Sequence, residues 1–141
     1  MWERVFTITD FYDRPRKGVA NFKGRPHAYE SEFSNVEDDY TDRYFLKPID
    51  EELLALVMET WAIWLSWCES FHRKEVDLKS HPALPDDRER YDALTDAIGS
   101  RLAVDNSRAI IKAAKFRSAN ICGDGAEVEW TDFEVPEAKA R

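Results

Sequence analysis

A chain of 141 residues with 43% hydrophobic and 34% charged residues, five glycines and six prolines is sized and composed for one compact domain, and is neither collagen-like nor wholly disordered. The net charge of −8 is uneven: residues 1–25 hold six basic against three acidic groups, while residues 26–60 hold two against ten. A net-negative chain is repelled by phosphate backbones, which disfavours general nucleic-acid binding.

From Trp2 to Phe11 the sequence alternates, with Phe6 and Ile8 on one face and Val5, Thr7 and Thr9 on the other, which predicts a strand. The Asp13–Gly18 stretch reads as a turn around Pro15, and a second strand is expected from Val19 to Phe22. After a reversal at Lys23-Gly24-Arg25-Pro26, the next strand places His27, Tyr29, Ser31 and Phe33 on one face. An acidic loop, Ser34 to Asp42, leads into a short strand, Arg43 to Lys47, stopped by Pro48.

Asp50 is placed as a helix N-cap, with Glu51 and Glu52 complementing the dipole. Leu53, Leu54, Val57, Met58, Trp61, Trp64, Leu65, Cys68 and Phe71 then form a broad stripe of period 3.6, predicting a helix from about Glu51 to Glu75. Leu56, Ile63 and Trp67 add apolar surface on another side, so both sides need a cover and a subunit contact is one way to supply it. Beyond His81-Pro82-Ala83-Leu84-Pro85, Asp86 and Glu89 suit a capping box for a second helix, and the two helices should form an antiparallel hairpin. Ala109 to Ser118 is read as a strand, Cys122-Gly123-Asp124-Gly125 as a turn, and Ala126 to Phe133 as a last strand with Val128 and Trp130 inward. The tail from Pro136 is expected to fray.

The expected fold is therefore a single α+β domain, order ββββ-αα-ββ: strands in 1–48, a helical hairpin in 50–103 and further strands in 109–135. The five or six antiparallel strands could form an open curved sheet or a small SH3-like barrel; the sequence leaves both open. The apolar run Trp61 to Trp67 is far short of the roughly 20 residues that cross a bilayer. Glu3, Arg4 and Asp10 stand where a signal peptide needs apolar residues, so a cytoplasmic location is expected. Cys68 and Cys122, in no CxxC pair, are expected as buried free thiols of a reducing compartment.

No complete catalytic motif, phosphate-binding glycine loop or zinc spacing is present, and no metal or cofactor is expected. Glu69 and His72 form only one copy of the spacing that carboxylate di-iron bundles use twice, so they read as a helix-surface pair. The acidic residues Glu37, Asp38, Asp39 and Asp42 do not follow a calcium loop and read as solvated charge that pairs with Arg14, Arg16 and Lys17. Candidate binding residues are Tyr12, Arg14, Arg16, His27, Tyr29 and Glu30 around the first hairpins, and Trp67, which lies off the helix stripe.

The string Thr9-Asp10-Phe11-Tyr12-Asp13-Arg14-Pro15-Arg16-Lys17-Gly18-Val19-Ala20, followed by Gly24-Arg25-Pro26-His27-Ala28-Tyr29-Glu30-Ser31-Glu32-Phe33, Asp38-Asp39-Tyr40 and Pro48-Ile49-Asp50, resembles a family of small bacterial proteins of uncharacterised function. The resemblance covers about the first 50 residues, with an echo in Val128-Glu129-Trp130, and implies a bacterial, cytoplasmic origin without assigning an activity.

The leading expectation is a non-enzymatic module that binds a protein partner or its own copy, without nucleic acid or membrane. One alternative is a small-molecule or enzymatic pocket around His27, Tyr29 and Arg14, with Tyr12 and Glu30 nearby. The other is an acidic mimic of nucleic acid that occupies a basic groove.

Overall fold

The computed structural model describes residues 1–120 and 122–133. Four strands come first: β1 (Glu3–Tyr12), β2 (Arg14–Phe22), β3 (Arg25–Ser34) and β4 (Asp39–Pro48). Helices α1 (Glu51–His72) and α2 (Arg88–Ile98) follow, then β5 (Ile110–Arg117) and β6 (Glu127–Asp132). Each strand pairs antiparallel with its successor, and β6 closes on β1 through Glu3↔Val128 and Arg4↔Glu127. Of the two architectures the sequence left open, the small closed barrel is the one formed, and the helical pair is an insertion between β4 and β5.

Tight turns of one and two residues explain why β2 and β3 are longer than periodicity implied. Asp13 adopts a left-handed conformation (φ 59°), so β2 starts at Arg14 and the expected turn from Asp13 to Gly18 is mostly strand. Lys23 and Gly24 both have positive φ, which is the geometry that matches strand twist in a two-residue hairpin. Gly18 serves another purpose inside β2. A β-carbon there would lie 2.1 Å from the Thr7 carbonyl oxygen and 2.8 Å from the Tyr29 hydroxyl, so only glycine lets the strands and that phenol approach.

The barrel interior is aromatic. Tyr29, Tyr44, Phe116 and Trp130 meet in a mutual cluster with ring centroids 5.8–6.2 Å apart. Their polar ends are satisfied: the Tyr29 hydroxyl donates to the Thr7 carbonyl (3.1 Å), that of Tyr44 to the Pro15 carbonyl (2.6 Å), and the Trp130 indole N–H to the Asn21 carbonyl (2.9 Å). Burial raises the pKa of both tyrosines, that of Tyr29 well above 10, with the neighbouring Tyr44 adding to it; Arg14 and Arg16 partly oppose the rise at Tyr44. A raised folded-state pKa stabilises the protein below the unfolded value of about 10, and that stability is lost as pH rises through the folded value. The urea midpoint is therefore expected to fall above about pH 10, with the Tyr29 and Tyr44 phenolates appearing at 295 nm only as structure is lost. A midpoint unchanged to pH 11.5 would contradict this.

Helix α1 begins where expected, with the Asp50 carboxylate accepting from the Leu53 amide at 2.8 Å. Its apolar surface is divided between two covers. Leu53 and Val57 pack on Phe6 and Val19 of the barrel wall together with Ile98 of α2. Ile63 and Leu56 face Leu94, Ala83 and Tyr91, so α2 and its connector cover the second side that could have sought another subunit. The first turn of α2 lacks the expected capping box: a short 3-10 turn, Pro85–Asp87, precedes it, and the Asp87 side chain makes no capping bond. Lys47 reaches from β4 to the carbonyls of Arg101 and Ala103 beyond α2 (2.8 and 3.0 Å), which fastens the hairpin to the barrel.

The cysteines depart from expectation. Cys68 of α1 and Cys122 of the β5–β6 connection are joined in a disulfide, with their Cα atoms 5.8 Å apart. Their separation of 54 residues hides a proximity that only the packing of α1 on the barrel creates. Cysteine usage thus no longer argues for a reducing compartment. Among the described residues, no helix is long and apolar enough to cross a membrane. The tail from Pro136 lies outside the described residues.

Candidate functional site

The pocket expected around His27, Tyr29 and Arg14 is not assembled. Tyr29 is fully inside the barrel, where its ring fills space between Tyr44, Phe116 and Trp130. His27 is buried toward the other end of β3, opposite Ala20 and Pro48, with Nδ1 2.8 Å from the Arg25 carbonyl and its ring edge-on to Phe22. Alternation put both side chains on one face, as read from the sequence, and in the closed barrel that face is the core. Trp67 is also enclosed: it is 3% exposed, stacks on Trp64 and Phe71, and donates its indole N–H to the Ser80 hydroxyl at 2.9 Å. The connector 77–81 folds over it, so it does not offer the free anchor expected of a residue off the helix stripe.

Tyr12, Arg14, Arg16 and Glu30 do share one end of the barrel, where the β1–β2 and β3–β4 turns meet. Tyr12 (61% exposed) lies 5.9 Å from Tyr40, and Phe33 (47% exposed) meets Tyr40 edge-on at 5.2 Å. The pairing with β4 is irregular between Ser31 and Phe33, and Phe33, unlike the buried His27, Tyr29 and Ser31, is exposed. Val36, on the adjoining turn, is 97% exposed. Three surface aromatics in contact, bordered by an exposed valine, therefore crown this end.

Beneath them, Arg16 is almost wholly buried and every nitrogen is engaged. Nε donates to the Tyr12 carbonyl (3.1 Å), Nη1 to the Ser31 hydroxyl (3.1 Å) and Nη2 to the Asp13 carboxylate (2.6 Å), and the guanidinium lies 4.5 Å from the Tyr40 ring centre. Arg16 is a strut that holds the Tyr12 turn and Tyr40 together. Arg14 pairs with Asp42 at 2.6 Å, its pKa raised on balance by that carboxylate against the lowering effect of burial, and its guanidinium lies 5.9 Å from the Tyr44 ring centre. The expected pairing of the basic turn with the acidic loop is thus made by Arg14, whereas Arg16 uses its own turn.

With both arginines committed, the charge left without an ion-pair partner at this end, among the described residues, is mostly acidic; Lys17, opposite Asp10 and Glu30 in the neighbouring strands, is also unpaired and does not make the expected contact with the acidic loop. Beside the aromatics opens a polar hollow of about 380 Å³ lined by Asp10, Lys17, Glu30 and Glu32 with Phe33 and Tyr40. Glu32 is tied to Arg43 and Thr41, but Asp10, Glu30, Glu37 and Asp38 have no ion-pair or side-chain hydrogen-bond partner among the described residues. Exposed aromatic rings beside free carboxylates suit the recognition of cations, guanidinium groups above all.

A second concavity, of about 340 Å³, lies between α1, α2 and strand β1. Its walls include Ile8, Val57, Trp61, Trp64, Tyr91 and Ile98, with His81 and Pro82 at one border. Sequence reading assigned Trp61 and Trp64 to the core stripe, and the tertiary fold adds that both also border this space. Among the described residues, no group of three or more His, Cys, Asp or Glu side chains is placed to hold a metal ion. No protein-family model, curated protein or solved structure matches this chain.

Proposed function

We propose that this protein is a non-enzymatic binding module that grips a basic, arginine-bearing segment of a partner protein with the crowned end of its barrel. The observation that carries this reading is the contact of exposed Tyr12 and Phe33 with half-buried Tyr40, beside the carboxylates of Asp10, Glu30, Glu37 and Asp38, which have no ion-pair partner among the described residues. Aromatic residues concentrate binding energy at interfaces, and free carboxylates steer a cationic partner toward them. A second copy of the chain would bring the same acidic groups face to face, which disfavours self-association through this end. The same charge pattern would also serve an acidic mimic of nucleic acid, since its target would likewise be a basic surface. The resemblance of the first 50 residues to small bacterial proteins supports a bacterial origin for the module.

The test is titration of isotope-labelled protein with nona-arginine, nona-lysine and nona-glutamate peptides, followed by amide chemical shifts. Shifts centred on residues 10–16 and 30–42 are expected, tighter for arginine than lysine, weakening as salt rises. The double variant Tyr12→Ala/Phe33→Ala should bind nona-arginine at least about tenfold more weakly, because both side chains are already exposed and their loss spares the core. Equal binding by variant and wild type, shifts spread over the whole surface, or a dimer formed through this end in sedimentation would overturn the proposal.

A further inference from the structure

The concavity under the helical hairpin differs in kind from the acidic end of the barrel. Twelve residues line it, drawn from β1, α1, the connector, α2 and the loop after it, and none is Lys, Arg, Asp or Glu. In a chain with 34% charged residues, a space of about 340 Å³ without a single formal charge on its walls is set apart from its surroundings. That volume lies at the lower end of the range for small-molecule sites. Two tryptophans, a tyrosine and an imidazole supply flat walls, and Ile8, Val57, Ile98 and Leu102 supply aliphatic ones.

Apart from the indole N–H groups of Trp61 and Trp64, the polar side-chain groups on the walls fall into two sets. The three threonines are occupied: Thr7 accepts from the Val19 amide, Thr9 donates to the Lys17 carbonyl and Thr60 donates to the Leu56 carbonyl. The Tyr91 hydroxyl and the His81 ring nitrogens, by contrast, have no hydrogen-bond partner among the described residues. His81 is held in place by its ring, edge-on to Trp64 at 5.2 Å and to Trp67 at 4.9 Å. The imidazole is thus positioned without either nitrogen being used.

We infer that this cleft is a binding site for a small uncharged aromatic molecule of one or two fused rings carrying one hydroxyl or carbonyl group. The rings stack or abut against Trp61, Trp64 and Tyr91, and the single polar substituent bonds to the Tyr91 hydroxyl or the His81 imidazole. A charged ligand is disfavoured because no Lys, Arg, Asp or Glu lines the walls to pair with the charge that gives up its water. The inference is independent of the protein-binding proposal, since no residue of the cleft belongs to the crowned end.

The probes are 2-naphthol and the anion naphthalene-2-carboxylate, followed through the indole N–H signals of Trp61 and Trp64 and through tryptophan fluorescence. Saturable shifts of both indoles by 2-naphthol are expected, with the carboxylate binding at least about tenfold more weakly. Thr60→Phe, which places a ring in the cleft from a half-buried helix position, should abolish binding. Tyr91→Phe and His81→Phe remove one polar partner each while keeping the aromatic surface; one of the two should weaken 2-naphthol about three- to tenfold and leave naphthalene unchanged. The fold of each variant is checked by its amide spectrum, and the Tyr91 and His81 variants keep the test decisive if Thr60→Phe does not fold. Absence of saturable shifts up to the solubility limit, equal binding of the anion, or unchanged affinity in both polar variants would overturn the inference.

Discussion

Replacing Cys122 by serine is expected to lower the stability of the oxidised protein by about 4 kcal/mol, close to the chain-entropy effect of a cross-link spanning some 54 residues. Cys68 is buried on α1 beside Trp67, whereas Cys122 is half-buried on the β5–β6 connection, so serine at 122 removes the bond without burying a hydroxyl in the helix interface. The bond matters because it ties the inserted hairpin to the strand pair that follows it in sequence. When it is cut, the helices stay attached to the barrel by the Phe6–Val57 layer and by Lys47, so loosening is expected to start at the far end of α1. Urea denaturation with and without reductant provides the check. Reductant should destabilise the wild type by the same amount and leave Cys122→Ser unaffected; equal stability of the two oxidised proteins would refute the cross-link. Retention of the bond by protein recovered from its native source would also place it in an oxidising compartment.

Trp61→Ala is expected to cost about 3–5 kcal/mol, the range for removing a large buried aromatic. Trp61 is 5% exposed and is the α1 residue that enters the buried barrel cluster of Val5, Ile8, Ala20, Tyr29, Tyr44, Leu46 and Val128. It therefore joins the helical layer to the barrel core, and a cavity there is bordered by strands that cannot collapse without breaking ladder bonds. Its indole N–H is buried with no partner among the described residues, an unusual cost for a core tryptophan. Trp61→Phe removes that orphaned donor and part of the volume, so its loss should stay below about 2 kcal/mol, where shrinkage and relief oppose each other. Guanidinium unfolding of the three proteins measures both differences. A loss under 1 kcal/mol for alanine would mean that the hairpin packs on the barrel mainly through other residues.

Much of the local structure was legible because it depends on neighbours in sequence. The alternation of β3, the Asp50 cap, the α1 stripe and the strand over Ile110–Arg117 follow from side-chain geometry within a few residues. The candidate site was legible in part: Tyr12, Arg14, Arg16 and Glu30 were marked by charge and aromatic content, but their separate tasks were not. Phe33 was placed on one face with Tyr29, which is buried, yet Phe33 is exposed at the end of β3, where the pairing with β4 becomes irregular. That irregularity depends on pairing with β4, which alternation within one strand does not record. Tyr40, which links Tyr12, Phe33 and Arg16, had as its signal only its aromatic character in an acidic loop.

The sequence by itself determined a single α+β chain, its strand and helix order, and a charge distribution that gathers acid after a basic turn. Only the tertiary structure decided that β6 closes on β1, that Cys68 meets Cys122, that Arg16 is buried as a strut, and that an uncharged cleft opens beneath the hairpin. The reason is physical: backbone geometry and capping act within one turn or one strand and are written in adjacent residues. Closure, cross-linking and concavity are relations between segments from 15 to more than 100 residues apart, as from Arg16 to Ser31 and from Glu3 to Val128, and they exist only once the chain has packed. At the crowned end the fold pairs Arg14 with Asp42 and Arg16 with Asp13, and among the described residues leaves Asp10, Glu30, Glu37 and Asp38, like Lys17, without an ion-pair partner.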